Sequence, residues 1–140
     1  MSLQESPETF LYARLAANAT VASYVSSRIF PVLAPMGTSM PLVVYQRTGV
    51  SREPALNGPT GSPIISVQLT TYGTSYIDLK QIARAIRLSV DGYTGTYGNC
   101  TIQRTNLTSE VDGAEMPTDD QMLPFYYVQQ SFDFRVAEAV

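Results

Sequence analysis

Histidine is absent from the 140-residue chain, and cysteine occurs once, at Cys100. Without histidine there is no imidazole base poised near neutral pH, no His-ligated zinc, and no Ser-His-Asp or Cys-His pair. A lone cysteine closes no internal disulfide and builds neither a thiolate cluster nor a CxxC redox pair. The expectation is a protein that is not an enzyme and uses no cofactor and no metal. Charge is also sparse: 15% of residues are charged, and nine Lys and Arg against twelve Asp and Glu leave a net charge of −3. That is the wrong sign for a chain whose task is gripping phosphate backbones. No apolar run approaches the roughly 20 residues that span a bilayer. The opening MSLQESPETF lacks a basic region followed by an apolar one, so a cytosolic protein with no membrane partner is expected. Without a secretory signal, the glycosylation-like triplets at Asn18, Asn99 and Asn106 read as chance matches.

What the chain does have is a 44% hydrophobic composition, enough for one core. A chain of this length buries roughly two-thirds of its unfolded surface, so a single domain over 1–140 is expected, with 1–5 disordered or extraneous to the fold. Ser6-Pro7-Glu8 reads as a helix start. The helix runs over 7–18, with Phe10, Leu11, Leu15 and Ala16 as its buried stripe. A short helical turn over 20–26 with Thr20 as cap follows, then an extended stretch at Arg28-Ile29-Phe30-Pro31. Strands are expected from Leu42 to Thr48, over 64–72, over 100–107 and over 125–136. In the second, Ile65, Val67, Leu69 and Thr71 alternate with Ser66, Gln68, Thr70 and Tyr72, as in a sheet with one buried face. In the last, Tyr126, Val128, Phe132, Phe134 and Val136 share a face that Gln130 alone interrupts. The clearest helix spans 76–90, capped by Ser75 and ended at Gly92, with Leu79, Ile82, Ala83, Ile86 and Val90 on one stripe. Loops or turns are expected over 53–63, 92–98 and 110–120. The order gives an α+β class: a mainly antiparallel four- to five-stranded sheet with two main helices packed on one face.

Few constellations carry chemistry. Glu110, Asp112, Glu115, Asp119 and Asp120 form the densest charge cluster, but their spacing does not match a calcium loop, and a solvated loop explains them. A hydrolase built on those carboxylates would need Asp119 and Asp120. Lys80, Arg84 and Arg87 form a basic stripe opposite the buried face of the long helix. Three cations are few for nucleic acid, whose binders commonly neutralise about six or more phosphates. The stripe fits an acidic protein better, and a small binding module using it for an acidic partner or nucleic acid is the alternative reading. Gly92-Tyr93-Thr94-Gly95 leaves a helix rather than opening one, so it is no phosphate cradle. Phe125, Tyr126, Tyr127, Phe132 and Phe134 read as packing, because Arg135 is the one cation beside them.

Three blocks carry a family resemblance: Phe10-Leu11-Tyr12-Ala13-Arg14-Leu15, then Arg28 through Pro35, RIFPVLAP, then Met40 through Arg47, MPLVVYQR. With the closing Phe132-Asp133-Phe134-Arg135-Val136, they make the chain similar to the tail completion proteins of long-tailed bacteriophages and prophages. The turn over 93–99 has no counterpart in that pattern. The resemblance is to tail terminators and implies a structural virion protein that completes the tail and joins it to the head. It implies a small α+β subunit, assembled as a homo-oligomeric ring, often a hexamer, between the tail tube protein and the head connector or stopper. The implied place is the head-proximal end of the virion tail, after assembly in the host cytoplasm, with DNA passing through without specific binding. In such a ring, Lys80, Arg84 and Arg87 would meet acids of a neighbour, and the segment from Glu110 to Asp120 would project as a contact or line a lumen.

Overall fold

The computed structural model describes residues 7–35, 38–51, 54–55, 58–59, 63–97, 100–116 and 125–137. Ser6, Asn99, Asp119 and Asp120, all named above, lie outside the described residues, as do the stretch 1–5 and parts of the loops expected over 53–63, 92–98 and 110–120.

Helix α1 (Pro7–Ala17) seats Phe10, Leu11 and Leu15 in the core, while Ala16, expected to be buried, is exposed. Helix α2 (Ala19–Val25) is capped by Asn18, whose Oδ1 accepts from Val21 N at 3.1 Å, so Thr20 is not the cap. Starting one residue earlier lets Val21 and Val25 both face inward. Arg28 then ties the end of α2 to the chain that follows: its Nη2 donates to Tyr24 O and its Nε to Pro41 O, each at 2.9 Å. Helix α3 (Tyr76–Val90) has its expected bounds, and Ser75 accepts from Asp78 N at its start. Its buried stripe is the expected one, and Gly92 ends it at a φ of 78°, where a side chain would be strained.

The strands are β1 (Ile29–Pro31), β2 (Leu42–Ser51), β3 (Pro54–Ala55), β4 (Gly58–Pro59), β5 (Ile64–Gly73), β6 (Gly95–Tyr97), β7 (Cys100–Glu115) and β8 (Phe125–Ala137). Six of them form one sheet in the order β1-β2-β5-β8-β7-β6, and β3 with β4 makes a small separate ladder. The expected four- to five-stranded sheet is therefore corrected to six strands, mainly antiparallel with one parallel pair, β1–β2, and the short helical turn between the two main helices is a third helix. The additions come from two segments of three residues each. Ile29–Pro31 pairs in parallel with Val43, Val44 and Tyr45, and Gly95–Tyr97 folds back on Cys100–Ile102 out of the stretch read as a turn.

The largest correction is β7. Its expected end near Leu107 is too early, because Glu110 to Glu115 continues as strand, paired to β8 from Gln130 to Phe125. Val111 and the half-buried Gly113 fit that pairing, and cross-strand hydrogen bonding outweighs the poor strand propensity of Glu110, Asp112 and Gly113. The acidic segment is a strand as far as Glu115, not a loop.

One face of the sheet carries the core. Val67, Leu69, Val128, Phe132 and Phe134 are fully buried there beneath Leu15 of α1, Val25 of α2 and Ile82 and Ile86 of α3. The alternate residues Ser66, Gln68, Gln129, Ser131 and Asp133 point to the other face and are only half-buried.

Candidate functional site

The long helix and the long hairpin β7–β8 bring charged side chains together. Burial of Leu79, Ile82 and Ala83 turns Lys80 toward β7, where Asp112 shares the helix-side face with Val128. Lys80 Nζ lies 3.0 Å from Asp112 Oδ2, and Tyr76 Oη donates to the same oxygen at 2.6 Å. The Tyr76 ring meets Tyr126 edge-on with centroids 5.7 Å apart. The Tyr76 hydroxyl, and then Lys80, hold the Asp112 carboxyl below the usual carboxylate range. The same hydrogen bonds to Asp112 raise the Lys80 ammonium and the Tyr76 phenol. Two residues expected to face a neighbour, Lys80 and Asp112, thus answer each other within one chain.

The other candidates separate. Arg84 is exposed and Arg87 half-buried, and neither has an ion pair among the described residues. Arg84 lines a groove of about 590 Å³ between the start of α2 and α3, with Asn18, Thr20, Gln81, Leu88 and Ser89. No acid lines it. Glu110 sits at the edge of a buried amide: Gln130 Nε2 donates to Ala83 O at 2.9 Å and approaches Glu110 Oε1 at 3.5 Å, while Gln130 Oε1 has no partner among the described residues. Glu115 is exposed near Tyr72 on the face away from the helices. Burial first, and then the Glu115 charge, raise the Tyr72 phenol. Among the described residues no group of three His, Cys, Asp or Glu is arranged to hold a metal.

Two residues were not expected to form a site: Arg104, and Arg135, read only as the one cation beside the aromatic run. Arg104 and Arg135 stand directly opposite each other across β7 and β8. They line a small pocket of about 90 Å³ with Ile64, Asn106 and Asp133. The register shift between Ile102 and Arg104 brings them together, and no spacing rule discloses a bulge in advance. Past its short pairing with β6, the outer edge of β7 meets the turn after α3, where Gly92 N donates to Thr105 O and Leu107 N to Asp91 Oδ1. Beyond Leu107 no strand pairs that edge among the described residues. This unpaired edge is a ready-made template for strand pairing.

Taken together, the described residues offer charged patches, a groove and a free strand edge, which suit contact with other protein chains. Comparison with known families supplies the identity: the model of a family described as tail completion protein gp17 matches residues 9–119. The chain belongs to that family. As a tail completion family member it is a structural tail protein of the phage type. Its fold is similar to that of a chain in the virion of a native gene transfer agent particle, with a TM-score of 0.71 and 14% identity over 90% of each chain. At that identity the likeness speaks for the shared fold alone. No curated protein matches the chain.

Proposed function

We propose that this chain completes the tail and joins it to the head, as a homo-oligomeric ring, a hexamer, at the head-proximal end of the virion. The observation that carries the reading is the family match over residues 9–119. Its partners are further copies of itself, the tail tube protein and the head connector or stopper protein, met after assembly in the host cytoplasm. DNA passes through without specific binding, in keeping with a net charge of −3. Neighbouring subunits meet through Arg84 and Arg87 on the outer side of α3 and through the acidic residues of β7, Glu110 and Glu115. Lys80 and Asp112 brace the hairpin against α3 within each subunit and contribute their remaining hydrogen-bonding capacity at the same rim.

Light scattering and electron microscopy of the purified protein, alone and mixed with tail tubes, test this reading. Rings, or caps on tube ends, are expected, and Arg84→Glu should lower the assembled fraction about tenfold at low salt. A protein that stays monomeric and ignores tubes under all conditions would contradict it. The competing reading is a small binding module using the basic face of α3 for an acidic partner or nucleic acid. It has fewer cations to work with once Lys80 is committed to Asp112. It would be favoured by salt-sensitive binding of a monomer that Arg84→Glu abolishes.

A further inference from the structure

Like charges directly opposite each other on adjacent strands destabilise a sheet. The Arg104–Arg135 pair does this, and a strand irregularity creates it. Ile102 is buried on the helix side opposite Val136, so strict alternation would send Arg104 into the core beside it. The extra residue at Gln103 turns Arg104 onto the other face and sets it against Arg135. Thr105 then returns to the buried side opposite Phe134. The one carboxylate lining the same pocket, Asp133, accepts from Ser66 Oγ at 2.7 Å, and neither arginine has an ion pair among the described residues. Turned so that its amide oxygen accepts from Arg104 Nε at 3.1 Å, Asn106 holds that guanidinium by one edge, and its terminal nitrogens have no partner among the described residues.

Two guanidiniums with no ion pair among the described residues, beside a pocket of about 90 Å³ that the single carboxylate of Asp133 also lines, leave an excess of positive charge suited to one oxyanion, which each can grip through paired N–H groups. We propose that Arg104 and Arg135 form a carboxylate-binding site, and that its occupant is Glu115 of a second copy of the chain. A carboxylate is favoured over DNA phosphate because two cations neutralise too little of a duplex backbone, while Glu115 on the same face repels it. A second copy is favoured because one sheet face carries the cation pair where β7 begins and the exposed Glu115 where β7 ends. Two different, complementary patches on one chain make head-to-tail contacts, the kind that close into rings. This inference rests on the ring reading and names one contact within it.

The test compares assembly by light scattering for the intact chain, for Arg104→Glu with Arg135→Glu, for Glu115→Arg, and for an equimolar mixture of the two variants. The intact chain assembles. Each variant alone is expected to need about tenfold more protein to assemble. The mixture recovers, because each site then meets an opposite charge, and that recovery also shows that both variants fold. A further variant, Arg135→Gln, should raise the thermal midpoint of the dilute subunit by removing repulsion while weakening assembly. A merely structural role would lower both. If the intact chain forms rings and the variants form them equally well, the site is wrong and the ring reading stands. If the intact chain forms none, alone or on tail tubes, the ring reading fails and the inference with it. Retention of duplex DNA at low salt that the arginine variant loses would identify a phosphate site instead and overturn the carboxylate assignment.

Discussion

The two faces of the same sheet are built from alternate residues of the same strands, yet they do different work. On the helix side, Val67, Leu69, Phe132 and Phe134 are fully buried and apolar. On the other side, Ser66, Gln68, Ser131 and Asp133 are half-buried and polar, held by bonds such as Ser66 Oγ to Asp133 Oδ1. The first face contributes stability through area removed from water, at roughly 25 cal/mol per Å². The second contributes little to stability and is free to vary in charge, and the proposed contacts lie there and on the outer rim of α3. For a subunit working through contacts, this division allows a surface to change partner without unfolding the protein beneath it.

Breaking the covered face should cost most. Phe132→Ala removes a fully buried ring packed near Phe134 and is expected to lower stability by about 3–5 kcal/mol, read from urea denaturation. On the other face the largest effect should be smaller. A β-carbon at Gly113 would strike the Tyr127 ring, which lies over it from the facing strand. Gly113→Ala should cost about 1 kcal/mol, because the ring must swing aside. Adding Tyr127→Ser should recover part of that loss, and a double-mutant comparison checks it.

The rim should respond least, and mainly through pH. Asp112→Asn is expected to cost under about 1 kcal/mol near neutrality, as for other exposed ion pairs. The folded-state pKa of Asp112 lies below its ordinary 3.8, so its stabilisation is present above that value and is lost as pH falls through the lower folded value. Lys80 behaves in mirror image: its folded pKa lies above 10.5, so its stabilisation is present below that value and is lost as pH rises past it. Denaturation midpoints of the intact chain and Asp112→Asn should therefore converge in acid below about pH 4. A constant gap across that range would show that the ion pair is not what Asp112 contributes.

Where local pattern and tertiary packing agree, the sequence was readable. Helix α3 has an apolar stripe at helical spacing, a serine cap and a terminal glycine, all three pointing to the same bounds. Strand β5 shows strict alternation for the same reason: one face is buried and the other is not. What was not readable depended on distant partners. Glu110, Asp112 and Gly113 look like loop residues in isolation and become strand because β8 pairs with them. Ile29–Pro31 is too short to announce a strand and becomes one against β2. The candidate charges were found by type, but their pairing was not. The Lys80–Asp112 contact spans 32 positions of sequence, and the Arg104–Arg135 pair depends on an inserted residue.

Gln130 shows what a single polar side chain adds to an apolar layer. The inward residues of β8 repeat at every second position, so sliding the strand by two would still place apolar groups beneath α3. Hydrophobic burial alone distinguishes those alignments poorly. The amide that donates to Ala83 O does distinguish them, since a two-residue slide would pull it from its only strong acceptor and leave it stranded in a dry layer. Gln130 therefore acts as an index mark along β8. It fixes, to the residue, the register of β8 beneath α3, and through the β7 pairing the place of Glu115 on the sheet.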